Sequence, residues 1–428
     1  MTWQSPIAPG ISWYQATIAD RLEYPAMDGS REVEVAIIGG GFTGLQAAYN
    51  LALKGISVAL IEANRFGDGA SGRNGGQFGT GQRSWPDELE DEIGYERSKG
   101  LFDLAENAKH YVLDFAAAHG IDMEYLPGQL NVAHKQAYEK HYRKSVEAAV
   151  ERYNYPHMSY MDKAEAEERL GSTHYYGGVR DTGTGHIHPL KLLVGLAKAA
   201  KAAGAEIYEM TAATSLRQSS GKTIIETPTG NITARRVLLA TNAYIGNLEP
   251  VTAAHIMPIR SFIGATAPLD KFPSILPGKE AVADSRFVVR YFRMTPDNRL
   301  LFGGREAYTA DTPRDISTHI RKQIAEIYPE LANIEITHAW GGSVGITMPR
   351  QPFVREVMPG VMSIGGYSGH GVMLSNYCGK LYADMLTDKD RALEQFSSLN
   401  VPGFPGGATL RAPLLFLALS WFALRDRF

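Results

Sequence analysis

Residues 33–62, VEVAIIGGGFTGLQAAYNLALKGISVALIE, constrain the fold more than any other part of the chain. VEVAIIG is an apolar, β-branched run of the kind that fills a parallel strand buried on both faces. Leu45, Ala48 and Leu51 then recur at helical spacing, and Gly55 offers a C-terminal stop. ISVALIE reads as a second strand that ends at Glu62. The turn between strand and helix, Gly39-Gly40-Gly41-Phe42-Thr43-Gly44, has the G-x-G-x-x-G spacing. Gly39 permits the tight turn, Gly41 lets backbone approach a pyrophosphate, and Gly44 lets helix and strand pack closely. The helix N-terminus presents free N–H groups and a positive dipole end to phosphates. An acid at position 62 accepts hydrogen bonds from a ribose and repels a phosphorylated one. The βαβ context points to a dinucleotide site, the alternative being a glycine-rich turn in another α/β protein.

A second match, Gly67-Asp68-Gly69-Ala70-Ser71-Gly72, is followed by RNGGQFGTGQ, which cannot start a regular helix. It is therefore read as a loop and not as a second dinucleotide unit. It leaves the end of the second strand on the edge where the first turn would hold a pyrophosphate. There Ser71, Arg73, Asn74 and Gln77 offer donors and one fixed positive charge to the same ligand, unless the stretch is a flexible surface loop. A third glycine-dense turn lies in MSIGGYSGHGVMLSNYCGKLYADML (362–386). MSIGG reads as a short strand, and Leu374, Cys378, Leu381 and Leu386 as inward positions of the following helix. Glycine again opens a helix N-terminus, aimed at something electron-rich. A nicotinamide needs no such feature, whereas a reduced flavin carries negative charge that helix N–H groups would stabilise.

The chain has 428 residues, 44% of them hydrophobic and 21% charged, with a formal net charge of −3. Such a balance suits a soluble globular protein and offers no nucleic-acid or anionic-lipid surface. Cys378 is the sole cysteine, so neither a disulfide framework nor a cysteine-based metal site can be built. The first residues lack a basic and then apolar secretory pattern. No apolar run approaches the ~20 residues of a bilayer span. The tail APLLFLALSWFAL (412–424) is broken by Pro413 and Ser420 and reads as a packed terminal helix, with weak membrane association as the alternative. A cytoplasmic location is expected.

GGGFTGLQAA with Glu62, ASGRNGGQ, RVLLATNAY (236–244) and GGYSGHGV resemble the flavin-binding signatures of the D-amino acid oxidase and glycine oxidase superfamily. The likeness is closer to its γ-glutamylputrescine oxidase branch. GTGHIHPLKL (183–192), YFRMTPDNRLLFGG (291–304), WGGSVGITMPRQP (340–352) and FPGGATLRAP (404–413) extend it over nearly the whole chain. The resemblance implies one FAD site. Gly39, Gly41, Gly44 and Glu62 would hold the ADP half, with Phe42, Thr43 and Ala63 among the cofactor-binding residues. Ser71, Arg73, Asn74, Gly75, Gly76 and Gln77 would line the path to the flavin. Ala213 matches a strand position whose backbone meets the adenine. Gly369, His370, Gly371 and Val372 would meet the pyrimidine end. Some members attach flavin through cysteine; Cys378 lies inside a helix beyond that turn, so noncovalent FAD is expected.

The expected class is α/β (α+β overall): a Rossmann-like FAD-binding domain with a discontinuous antiparallel-sheet substrate domain. After an N-terminal extension (1–31), the FAD-binding domain takes 32–95, 160–245 and 340–390. The substrate domain takes 96–159 and 246–339, and 391–428 form a tail with a short apolar helix. HIMPIRSFIGATAPL, RFVVRYFRM and NRLLFGG suit antiparallel strands, with PDN as a turn. DISTHIRKQIAEIYPEL (315–331) reads as helical. His186 and His188 have the spacing of two metal ligands on a strand, but Pro189 marks His188 as a helix boundary and no acidic or cysteine cluster completes a site. No metal is expected.

The resemblance implies oxidative deamination of an amine, with γ-glutamylputrescine as the expected substrate in putrescine catabolism. The products would be the γ-glutamyl aminoaldehyde, ammonia and hydrogen peroxide, with molecular oxygen as acceptor. A peripheral dehydrogenase feeding quinone, an oxidase of another small amine or D-amino acid, and a flavoprotein without turnover are the alternatives. Hydride transfer from a carbon bearing a neutral amine requires no strong general base, which fits the lack of a readable catalytic triad. The substrate carboxylate needs a cation and its methylene chain aromatic walls. Arg260, Arg290, Arg293 and Arg305 lie on the predicted sheet, and Arg290 and Arg293 fall on opposite faces. Tyr291, Arg293, Trp340 and His370 are the candidate catalytic-site residues.

Overall fold

The computed structural model describes residues 11–19, 21–307 and 315–407, and its strands sort into two sheets. The core of the first is parallel, in the order Val361–Gly365, Gly230–Leu239, Gly29–Ile38, Val58–Ile61, Glu206–Tyr208. Phe353–Met358 adds an antiparallel edge. A hairpin of Ser215–Ser219 and Lys222–Thr227 pairs with the start of Gly230–Leu239.

The expected βαβ unit is present, with its helix at Phe42–Leu53. Alternate residues of the central strand feed opposite faces, as strand geometry requires. Val35 and Ile37 join Leu60, Leu238 and the buried sides of Phe42–Leu53, Pro189–Ala202 and Val372–Thr387 in one core. Ala36 and Ile38 join Ala59, Ile61, Leu239 and the hairpin residue Ile225 in another. Burial on both faces explains why the strand reads as a continuous apolar run.

The second sheet runs Ile336–Ile346, Met257–Thr266, Leu300–Ala307, Tyr291–Met294, Ala281–Asp284, Leu126–Val132, Gly178–His186, Gln77–Phe78, with Met158–Met161 also on Gly178–His186. All its pairs are antiparallel except Ala281–Asp284 with Leu126–Val132. Phe292 and Phe302 stack at 5.6 Å beneath the helix Ile316–Ile327, whose Ile320, Ile324 and Ile327 complete that core. The second glycine loop runs straight into Gln77–Phe78 and so ties the two sheets together.

Gly178–His186 and Ile336–Ile346 belong by hydrogen bonding to the second sheet, so the boundary between the sheets runs within the stretches 160–245 and 340–390. Their alternation is local, whereas the sheet they join depends on partners far along the chain. The strand anticipated in EIYEMTAAT is only Glu206–Tyr208, because Met210 takes a left-handed φ of 49°. Ala213 therefore lies on irregular backbone and not on a strand. No helix among the described residues is long and apolar enough to cross a membrane. The 412–424 tail, residues 1–10 and the side chain of Arg305 lie outside the described residues.

Ile37 has no solvent exposure and pairs with Leu60 on one side and Leu238 on the other. Ile37→Ala is expected to lower unfolding stability by about 2–5 kcal/mol in denaturant titrations. A loss under about 1 kcal/mol would contradict a close-packed central strand.

Candidate active site

The first glycine turn is built by close approaches. Gly39 has φ 110°, and a Cβ there would lie 2.7 Å from the Ala240 carbonyl oxygen. A Cβ on Gly44 would fall 1.9 Å from the Gly39 oxygen, so only glycine lets this helix meet its strand. At Gly41 a Cβ would lie 2.8 Å from Ser71 Oγ, which also accepts the Phe42 N–H at 3.1 Å. The first two glycine segments therefore meet at one helix end, and that helix has no side-chain cap at its N-cap residue, Gly41. Glu62 accepts the Gly40 N–H at 2.8 Å through Oε2 and the Asn64 N–H at 2.9 Å through Oε1, on either side of Ala63. Burial pushes its carboxyl up, and the two N–H groups act in the opposite direction. The Glu62 carbonyl accepts the Thr211 N–H at 2.8 Å, drawing the stretch that carries Ala213 alongside it.

The second loop folds on itself. Asn74 Nδ2 donates to the Ala70 and Ser71 carbonyls at 3.1 and 3.0 Å, and its Oδ1 accepts the Gly76 N–H at 2.8 Å. Arg73 donates to Gly341 O at 3.0 Å, Trp340 Nε1 to Arg73 O at 3.1 Å, and Gln77 to Val282 O at 2.8 Å. Tyr291 is clamped by two glycines: a Cβ on Gly75 would meet its ring at 2.7 Å and one on Gly303 at 2.1 Å. Arg293 shares the face of Tyr291, as the strand period requires, but its guanidinium passes behind the loop. It donates to Gly75 O at 2.8 Å, Ile187 O at 2.9 Å and Tyr14 Oη at 3.1 Å, and is 2% exposed.

The third turn joins the same assembly. Thr43 Oγ1 and Tyr367 Oη are 2.8 Å apart, and a Cβ on Gly379 would lie 2.3 Å from Thr43 O, so the helices Phe42–Leu53 and Val372–Thr387 touch there. Gly369 has φ 89°, and Gly371 is the N-cap of a helix with no side-chain cap. His370 Nε2 donates to Thr80 O at 2.7 Å; burial brings its pKa down to about 4, leaving a neutral ring.

The second and third turns border a cavity of about 460 Å³, whereas Gly39, Gly41, Phe42, Thr43, Gly44, Glu62, Ser71, Gly76 and Gly371 are not in its lining. Arg73, Asn74, Gly75, Gln77, Tyr291, Gly369, His370 and Val372 line it. Trp340 and Arg293 do not line it; they lie behind its wall. Residues that sequence reading missed also face it, including Gln129, Asp181, Ser261, Arg286 and Arg350. Only the cross-strand partnership of Gln129 with Asp181, invisible locally, could have signalled two of them. Both histidines of GHIHP are engaged by protein groups: His186 by Arg293 and Lys279 O, His188 by Thr17 and the Lys191 N–H. Among the described residues no group of three or more His, Cys, Asp and Glu is placed to hold a metal.

A parallel dinucleotide sheet, helix ends without side-chain caps opened by glycine, and a second sheet closing over the cavity define a flavin-dependent oxidoreductase. The chain belongs to the DAO family of FAD dependent oxidoreductases, whose model matches residues 34–385. It is 67% identical over the full length of both chains to a probable oxidoreductase, OrdL, of Rhizobium meliloti (strain 1021). It is 32% identical to γ-glutamylputrescine oxidoreductase of Escherichia coli (strain K12), covering 97% of this chain and 98% of that one. The fold is also that of glycine oxidase from Geobacillus kaustophilus, with a TM-score of 0.69 and 23% identity over 84% of this chain and 96% of that one. The protein is thus an FAD-dependent oxidoreductase. The narrow glycine approaches and the helix N-termini opened by Gly41 and Gly371 suit its cofactor.

Gly44→Ala is expected to weaken FAD binding by about tenfold or more and to lower the melting temperature, because the new methyl forces helix from strand. Unchanged FAD affinity in fluorescence titration would contradict the close approach. Burial, reinforced by Arg293, holds His186 and His188 down to about 3, so both rings stay neutral where an unfolded chain begins to protonate. Their contribution is complete above about pH 6.5 and falls as pH drops toward 3, by about 2 kcal/mol per ring at pH 5. His186→Gln should therefore flatten the stability profile between pH 7 and 5.

Proposed function

We propose that the protein is a cytoplasmic amine oxidase with noncovalent FAD, acting on a γ-glutamylated polyamine such as γ-glutamylputrescine, with molecular oxygen as acceptor. The meeting of three glycine turns, two of which line one cavity, carries the reading, and the Escherichia coli relative directs it toward this substrate class. The first sheet serves as the FAD-binding part and the second as the substrate-binding part.

In this reading the N–H groups of the first turn of Phe42–Leu53 beyond Phe42, whose own N–H is taken by Ser71, meet the pyrophosphate, and Glu62 takes the ribose. Ala63 and Ala213 flank the adenine side. Ser71, Arg73, Asn74, Gly75, Gly76 and Gln77 hold the path to the ring system. Gly369, His370, Gly371 and Val372 present the second helix end to the pyrimidine edge. Bound FAD supplies hydride acceptance from the amine-bearing carbon. The chain itself orients that carbon and excludes water. Tyr291 forms a fixed wall between Gly75 and Gly303, while Trp340 and Arg293 position the loop that faces it. Neutral His370 adds a hydrogen-bonding group without a charge. Cys378 is fully buried, and its thiol is pushed up to about 12, which favours a free, unattached cofactor. A cavity of this volume suits a small-molecule substrate.

An anaerobic panel of amines mixed with the holoenzyme tests this. γ-Glutamylputrescine should bleach the flavin at least about tenfold faster than putrescine or glycine, the scale of one well-placed charged contact, and air should then restore the colour with release of peroxide. Equal rates across the panel would overturn the substrate, and no bleaching by any amine would overturn the activity.

A further inference from the structure

Asp181 lies on Gly178–His186 in the cavity wall and is 2% exposed. Its Oδ1 accepts the Tyr155 hydroxyl and the Gly183 N–H, both at 2.9 Å. Oδ2 has no hydrogen-bond partner among the described residues. Gln129 is its direct cross-strand neighbour, lines the same cavity, is 9% exposed and has an unpartnered amide oxygen. Antiparallel partners project on one face with Cβ atoms about 5 Å apart, so the two acceptors stand side by side. Met158, the partner on the other flank, also lines the cavity, as do Phe102 and Tyr142. The wall thus combines buried acceptors with apolar surface.

The charges behind it are unbalanced. Lys109 donates to Glu106 at 2.8 Å and to Tyr155 Oη at 3.4 Å, and Tyr155 donates onward to Asp181. With Asp181 and Glu106 ionised against Lys109, these three groups carry one surplus negative charge at the wall of a cavity whose lining also holds Arg73, Arg83, Arg286 and Arg350. The partnerless Asp181 Oδ2 and Gln129 Oε1 are buried acceptors that call for a donor-bearing, preferably cationic, partner. We propose that Asp181, assisted by Gln129, is the subsite that receives the non-reacting cationic nitrogen of the substrate, an alkylammonium whose chain lies along Met158, Phe102 and Tyr142, while the amine that loses hydride is neutral. This deepens the amine-oxidase reading and rests on it, but its test does not require turnover.

The probe is tert-butylammonium, whose amine-bearing carbon has no hydrogen to lose, titrated calorimetrically into the FAD-loaded enzyme at pH 8 with tert-butanol as neutral comparator. The wild type should bind the cation, Asp181→Asn at least about tenfold more weakly, and tert-butanol should not distinguish the two proteins. Binding to Asp181→Asn within about twofold of wild type, or no binding to wild type, would overturn the subsite. Should Asp181→Asn fail to fold, the wild type decides. Burial raises the Asp181 carboxyl to about 6, against the opposing effects of Tyr155, the Gly183 N–H and Lys109, and with Glu106 acting in the same direction. His157 also packs here, against the Tyr155 ring. Affinity for the cation should then fall about tenfold per pH unit below 6, while a flat profile would overturn the subsite. If tert-butylammonium binds as expected but no oxidisable amine bleaches the flavin, the subsite stands and the oxidase reading fails. If amines bleach the flavin with wild-type and Asp181→Asn dissociation constants equal, the oxidase reading stands and the subsite fails.

Discussion

The hydrogen bond from the Phe42 N–H to Ser71 Oγ, 3.1 Å long, is the joint on which the site depends. It closes the gap between two glycine segments nearly thirty positions apart in the chain. The contact requires that Gly41 have no side chain, since a Cβ would stand 2.8 Å from the same oxygen. Thr43, one residue further into the helix, meets Tyr367 of the third turn. Successive residues of one helical turn thus fix two distant loops. A shift of that helix would disturb all three turns together, because the Gly44 and Gly379 approaches leave no slack.

A second tie holds the loop against the other sheet. The Arg293 guanidinium is buried among the Gly75 and Ile187 carbonyls, the Tyr14 hydroxyl and His186. Carbonyl dipoles, a hydroxyl and a neutral imidazole satisfy its donors. A buried cation so arranged is costly to disturb, because removing it strands several buried acceptors at once. Tyr291, clamped between Gly75 and Gly303, is rigid for the same local reason. The wall facing the cavity is therefore stiff, whereas the Asp181 side is polar and incompletely satisfied. Rigid aromatic surface on one side and an unfilled acceptor on the other is an arrangement that can orient a cationic chain.

The βαβ unit was legible because local chemistry dictates it. Three glycines at fixed spacing, a β-branched run and a helical period leave little choice of backbone. The odd separation of Arg290 and Arg293 was read as opposite faces of one strand, but the strand begins at Tyr291 and Arg290 lies just before it, paired with Glu326. The roles of those side chains were less legible. Arg293 and Trp340 read as cavity residues, yet both support the loop from behind, because strand period sets a face but not the depth at which a long side chain ends. Ala213 read as a strand residue until Met210 turned the backbone.

From the amino-acid order alone came the dinucleotide turn, the helix that follows it, the acid closing the second strand and the glycine-dense character of the two later turns, all consequences of backbone sterics over a few residues. Only the tertiary structure decided which sheet Gly178–His186 and Ile336–Ile346 join, that the three turns meet, and that Asp181 stands beside Gln129 at the cavity. Those outcomes rest on pairings between residues far apart in the chain, whose energies depend on burial and close packing that no local window contains.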